Sequence, residues 1–319
     1  MLAPLAAIYG TVAAARMKRA GARAAVPVIC IGNPTLGGAG KTPAALAIAE
    51  MLAGMGERPA FISRGYGGRS AGPIVVDPAR HHASEVGDEP LLLARAFPTI
   101  VARDRVAGAE LAAKRGASII VLDDGFQNPA LAKDVSLLLI DGAIGIGNGA
   151  VFPAGPLRAP LRAQLELAQG VVLVGVETDG ISKLASGTAL PVFIAKLVPD
   201  AATAMILSGK KALAFAGIGH PEKFFTTLAD IGVEAVERMS FPDHHRYSAK
   251  DVRTLINAAA TRGLVLLTTE KDLARMQGDP AQLELAAAAR TLPVRLEFSD
   301  DVAVRRLLEA ALAKARARI

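Results

Sequence analysis

Residues 28 to 43 read Val-Ile-Cys-Ile-Gly-Asn-Pro-Thr-Leu-Gly-Gly-Ala-Gly-Lys-Thr-Pro, and that order admits few folds. The apolar run 28–31 has strand character, and the alanine-rich stretch 44–52 has helix character. Between them Gly37, Gly38 and Gly40, with the small Ala39, let successive backbone N–H groups turn inward. Strand, glycine turn, Lys41-Thr42 and helix together cradle a nucleoside triphosphate. The helix N-terminus adds positive dipole, the lysine reaches the β- and γ-phosphates, and the threonine hydroxyl ligates Mg²⁺. ATP and Mg²⁺ are therefore the expected cofactors. The strict loop spacing is not met: Thr35 stands where the first glycine belongs, and Gly32 lies too far back. What remains is Gly-Gly-x-Gly-Lys-Thr, as in deviant phosphate loops, with Leu36 in place of their extra lysine. A structural turn that merely ends in Lys-Thr is the alternative, and the flanking strand and helix favour phosphate.

A chain of 319 residues, 51% hydrophobic and 21% charged, is globular and long enough for about two domains. Its net charge of +6 favours anionic partners without choosing among them. Aromatics are only 4% with no Trp, so base-stacking surfaces are scarce and a nucleic-acid partner is not expected. The lone Cys30 excludes an intrachain disulfide and a cysteine-cluster metal site, which suits a reducing cytoplasm.

An uncharged run over 1–15 precedes Arg16, Lys18, Arg19 and Arg23, and the first carboxylate is Glu50. The run is shorter than the ~20 residues a spanning helix needs, and a secretory signal would carry its charges first. Leu2, Leu5, Ile8, Tyr9 and Val12 recur at helical spacing, which suits a helix lying in an anionic membrane interface and equally an ordinary docked helix. Further on, 60–63 reads as a strand and 64–69 as a basic loop. His81-His82 read as surface residues. Asp88 in Gly-Asp-Glu-Pro reads as a helix cap before 91–97. An apolar strand from 118 ends in Asp123-Asp124, and such strand-end aspartates hold Mg²⁺ or its water in phosphate-loop enzymes. Strand 135–140, a Gly/Pro-rich loop over 145–162 and strand 171–174 follow. After a connector come strand 212–215, helices 222–230 and 249–260, strand 264–268 and a last helix from about 301. The alternation argues for an α/β fold with parallel sheets. It divides into a membrane-associating helix (1–24), a phosphate-loop domain (25–190) and a smaller α/β domain (191–319), with a connector near 181–205.

Taken together, Gly32 to Pro43, Ser63-Arg-Gly-Tyr-Gly-Gly, Gly87-Asp-Glu-Pro, Asp123-Asp-Gly-Phe-Gln, Pro153-Ala-Gly-Pro-Leu-Arg, Ala216-Gly-Ile-Gly-His-Pro, Pro242-Asp-His and Thr269-Glu-Lys-Asp resemble the tetraacyldisaccharide 4′-kinase family, in that order, from 28 to about 272. The resemblance implies transfer of the γ-phosphoryl of ATP to the 4′-hydroxyl of tetraacyldisaccharide 1-phosphate in lipid A synthesis. It also implies a peripheral or monotopic protein on the cytoplasmic face of the bacterial inner membrane. It assigns Lys41 to the phosphates, Thr42, Asp123 and Asp124 to the metal, and Asp88 with His244 to activation of the sugar hydroxyl, overriding the cap reading of Asp88. Arg105, Arg158 and Gln127 become candidate substrate contacts. The chain departs from the family at Asn128, where a histidine is usual, and His245 beside His244 leaves open which imidazole faces the cleft. Another phosphate-loop small-molecule kinase, or a membrane-associated nucleotide-dependent binding protein, are the rival readings.

Overall fold

The computed structural model describes residues 2–38, 40–176, 180 and 190–318. Ala39, expected in the phosphate cradle, and 181–189 of the expected connector lie outside the described residues. Strands β1 (Val28–Gly32), β2 (Pro59–Ser63), β3 (Ile74–Val75), β4 (Thr99–Val101), β5 (Ile119–Asp123), β6 (Val135–Asp141), β7 (Gly170–Val174), β8 (Val192–Pro199), β9 (Lys211–Ala216), β10 (Glu234–Ser240), β11 (Val265–Thr268), β12 (Arg290–Thr291) and β13 (Val294–Phe298) form two sheets. The larger has the order β13-β8-β7-β6-β1-β5-β2-β4-β3. It is parallel except at its edges, where β3 and β13 run antiparallel to their neighbours.

Strands of nearly pure Val, Ile and Leu suit a sheet covered on both faces. Ile29, Ile31, Val121 and Leu137 pack against Ile48 and Leu52 of helix Lys41–Gly54 and against Val304 and Leu308 of helix Asp301–Arg316. The alternate residues Val28, Cys30, Leu122 and Leu138 face the other side, with Ala109 and Ala112 of helix Arg105–Lys114. Each Val, Ile or Leu among them contributes about 1.5–3 kcal/mol on burial. The sheet fixes the site through β1, which lies between β5 and β6 with Ile31 level with Asp123. The phosphate loop and the acidic pair thus leave the sheet side by side, at the carboxyl ends of parallel strands where ligands bind in such folds.

The smaller sheet, β10-β9-β11-β12, is parallel. It is covered on one side by Phe225 and Leu228 and on the other by Val252 and Leu255. The expected division at 190/191 does not match sheet membership. β8 and β13 pair antiparallel and complete the larger sheet, so only about 200–292 form the second unit and the last helix returns to the first. A strand that leaves and another that returns look locally like any β–α alternation, so their partners could not be read from the sequence.

Candidate active site

At one pole of the cleft lies the phosphate loop. Gly40 precedes helix Lys41–Gly54 in the left-handed conformation (φ 80°). Lys41 is buried, and its ammonium donates to Asn33 Oδ1 and to the Gly37 carbonyl, both at 3.3 Å, and stands 3.7 Å from Asp124. Arg158 grips Asp124 with two bonds of 2.8 and 3.1 Å and donates from Nε to the Thr35 carbonyl. Burial alone would raise the Asp124 carboxyl; Lys41 and Arg158 outweigh it and lower it. Asp123 is different. Both its carboxylate oxygens and the Thr42 hydroxyl are buried without a hydrogen-bond partner. Burial pushes the Asp123 carboxyl up to about 7, with the nearby Glu89 charge adding and Lys41 opposing. Unpartnered oxygens of this kind fit a hard cation. Mg²⁺ takes one or two protein carboxylates and completes its shell with phosphates and water, so the lack of a cluster of three or more acidic, His or Cys ligands among the described residues does not count against it.

At the other pole, Asp88 opens helix Asp88–Ala94, while the cap position belongs to Gly87 at φ 91°. A methyl group on Gly87 would meet the Tyr66 carbonyl at 2.6 Å, so only glycine delivers Asp88 here. One carboxylate oxygen, Oδ1, accepts from the first-turn Glu89 N–H at 2.9 Å, as a cap would, and the other turns to the cleft. That oxygen, Oδ2, accepts from Arg275 Nη2 at 2.6 Å and Nε at 3.2 Å, and lies 3.2 Å from His244 Nδ1. Burial would raise the Asp88 carboxyl, but the His244 hydrogen bond and the Arg275 charge hold it well below the usual carboxylate range. The same hydrogen bond lifts the His244 imidazole above its ordinary value. A pocket of ≈ 260 Å³ opens beside the pair, lined among others by Tyr66, His82, Arg246 and Gln277.

The poles are adjacent. The turn at 217–220 meets the Asp88 pole at Gly217, whose carbonyl accepts from His244 N and Arg275 Nη1. It meets the phosphate loop at Gly219, where a methyl group would stand 3.6 Å from Gly38 N. Two residues of chain span under about 10 Å. Asp124 and His244, one at each pole, are the non-glycine residues with left-handed backbone among those described (φ 55° and 59°), a strain of order 1–3 kcal/mol each that gathers at functional sites.

The profile of the tetraacyldisaccharide-1-P 4′-kinase family matches residues 1–313. The chain belongs to that family. It is 55% identical over 320 residues to the tetraacyldisaccharide 4′-kinase of Methylobacterium sp. (strain 4-46), covering 99% of this chain and 94% of the relative. It is 52% identical to that of Rhodopseudomonas palustris (strain BisA53), covering 100% and 94%. Among solved structures it is similar to the "apo" form of LpxK from Aquifex aeolicus in complex with ATP, with a TM-score of 0.75, 27% identity and 98% of each chain covered. The α/β phosphate-loop fold expected from the sequence is the fold of this kinase family.

Within it, the remaining expected residues separate. Arg158 and Gln127 join the phosphate-loop pole: Gln127 donates to the Asn33 carbonyl and to Gln164 Oε1. Arg105 is buried, donates to the Ala102 carbonyl and feels the charges of Asp123 and Asp124; it does not line the pocket beside Asp88. His244 meets Asp88, whereas His245 turns to Asp251 and stacks on Phe241. Asn128 forms a turn, its Oδ1 accepting from Ala130 N. His82, read as a plain surface residue, caps a short helix on the pocket's rim. Arg275 and the ion pair of Lys271 with Glu89 at 2.6 Å were missed. Their signal was the Thr269-Glu-Lys-Asp272 motif, with Arg275 one helical turn beyond Asp272.

On the surface, helix Ala3–Met17 is inverted. Ala6, Gly10 and Met17 face the protein, while Leu2, Leu5, Ile8, Tyr9 and Val12 are exposed and Tyr9 packs edge-on against the exposed Phe152. No helix among the described residues is long and apolar enough to cross a membrane.

Proposed function

We propose that the protein transfers the γ-phosphoryl group of ATP to the 4′-hydroxyl of tetraacyldisaccharide 1-phosphate, working on an anionic membrane surface. The observation that carries this reading is the adjacency of a phosphate cradle with unpartnered metal-binding oxygens and a buried carboxylate–imidazole pair facing a polar pocket. Lys41 and the loop N–H groups hold the β- and γ-phosphates in line with the acceptor, which is most of what phosphoryl transfer asks of a protein. Thr42 and Asp123, with Asp124 beside them, would hold Mg²⁺, which neutralises charge on the phosphates. Arg158, which grips Asp124 beside the cradle, would contact a substrate phosphate.

On the acceptor side, the sugar hydroxyl gives up its proton as its oxygen bonds to phosphorus. The proton passes to the imidazole of His244, and Asp88, held anionic, steadies the ring and the imidazolium that forms. The exposed apolar face of helix Ala3–Met17, with Phe152 beside it and Arg16, Lys18, Arg19 and Arg23 following, supports docking on the cytoplasmic face of the inner membrane, where the acylated substrate resides.

The deciding experiment is transfer of labelled γ-phosphate from ATP to tetraacyldisaccharide 1-phosphate in detergent micelles. Wild type should form phosphorylated lipid, and Lys41→Ala and Asp88→Ala should not. ATP hydrolysis with an untouched lipid would refute the acceptor assignment.

A further inference from the structure

We propose that Arg275 is the positioning residue of the acceptor site, a single guanidinium that brackets both members of the proton-accepting pair from across the cleft. The inference rests on reading Asp88 and His244 as that pair. Arg275 belongs to helix Glu270–Met276 of the second unit, Asp88 to the first. Nη2 and Nε fix the Asp88 carboxylate. Nη1 donates to the Gly217 carbonyl at 3.1 Å and the His245 carbonyl at 3.2 Å. Those carbonyls frame the left-handed residue His244, whose own N–H bonds to the same Gly217 carbonyl. One side chain therefore sets the carboxylate and the backbone that delivers the imidazole to it. A rigid planar fork does this and an ammonium cannot.

Arg275 is itself anchored. Asp272 accepts from Nη1 at 2.9 Å and also from Tyr247 Oη, Thr269 Oγ1 and Gly217 N, and it has no solvent exposure. The ion pair of Lys271 with Glu89 ties the same two helices one residue away. Charge follows geometry: Arg275, Asp88 and Asp272 sum to minus one, and a proton on His244 brings the buried cluster to zero. The other groups facing the imidazole are Tyr66, its ring tilted by 57° with centroids 4.9 Å apart, Asp243 at 3.9 Å, and His82 and Arg246 on the pocket wall. A site that reaches neutrality by accepting a proton avoids burying new charge at the moment of reaction.

The test is the lipid-kinase assay on the full chain, with pH profiles, for Arg275→Lys, Arg275→Gln and Asp272→Asn, each checked for folding by thermal melting. Arg275→Lys keeps the charge and loses the fork; it should lose about 30-fold or more in kcat, with KM for ATP and lipid little changed. Arg275→Gln should move the acid limb of kcat/KM up by about 0.5–1 unit, and Asp272→Asn should move it down by as much. A merely loosened site would draw both limbs in one direction, toward the free imidazole. A Lys variant within about threefold of wild type, or limbs that do not split, would overturn the proposal. Should neither arginine variant fold, Asp272→Asn decides by its plateau rate as well: a lowered limb with plateau kcat within about threefold of wild type supports the bracket, because a loosened site would lose plateau rate too, and an unmoved limb or a lost plateau refutes it. Wild type that hydrolyses ATP without phosphorylating lipid would refute the kinase reading as well; wild-type transfer with an indifferent Arg275 refutes only the bracket.

Discussion

The two poles of the cleft handle buried carboxylates in opposite ways. Asp123 keeps both oxygens free of hydrogen bonds and its carboxyl pushed up, whereas Asp88 is saturated by Arg275, His244 and the Glu89 N–H and is held far down. Both are almost fully buried, so burial does not explain the difference. The partners do. One pole is built for charge that arrives with the ligand, the other for charge the protein already balances.

The comparison breaks most visibly at the phosphate pole. Lys41→Ala and Asp123→Asn should each cut lipid phosphorylation by about a thousandfold or more, since the stabilisation of transferring phosphate is lost. The two variants differ without ligand. Asp123→Asn removes an unpaired buried charge, so its metal-free melting temperature should rise by several degrees while the further rise on adding magnesium and a non-hydrolysable nucleotide shrinks. Melts with and without magnesium check it, and an unaltered magnesium response would show that Asp123 holds no cation.

At the acceptor pole, Asp88→Asn should cost about 10²–10³ in kcat and also move the pH profile. His244 must be neutral to take the proton, and its value is raised by Asp88, so wild-type kcat/KM climbs with pH through a point above the ordinary imidazole value. Removing the carboxylate's charge lowers that point, so the variant reaches its own reduced plateau at lower pH. The membrane face gives a smaller effect. Ile8 and Val12 are 64% and 62% exposed, so Ile8→Glu with Val12→Glu should leave the melting temperature alone. The same pair should weaken binding to anionic vesicles about thirtyfold, read by sedimentation.

How much of this was legible depends on how far apart the signals lie. The phosphate loop, its strand and helix, and the Asp123 strand end are local, so period and turn chemistry sufficed, and the observed elements begin and end within a few residues of the expected ones. Asp88 is the counter-example: spacing alone made it a cap, because its partners Arg275 and His244 stand 187 and 156 residues away, and the family resemblance was needed to override that reading. Arg158 was a candidate substrate contact only through the family resemblance, and its bond to Asp124, 34 residues away, was not legible in the spacing. The β8–β13 pairing was invisible for the same reason as Arg275: each depends on a chain return that no local pattern records.

The smallest effect sharpens the comparison at Asn128, where relatives of this family usually carry histidine. Were the position part of the acceptor chemistry, its loss of a titratable ring would have to be made good elsewhere. The fold gives it other work: Asn128 N donates to the Gly125 carbonyl, its Oδ1 accepts from Ala130 N at 2.9 Å, and its carbonyl accepts from Lys133, which together set the turn before Pro129. Asparagine suits such a turn because its short amide mimics a backbone bond. Asn128→His should therefore leave kcat within about twofold and lower the melting temperature by roughly 1–3 °C through the weakened turn. A tenfold gain in kcat with an altered pH profile would bring a third titratable group into the chemistry, and the division of the cleft into a ligand-charged and a self-balanced pole would have to be redrawn around it.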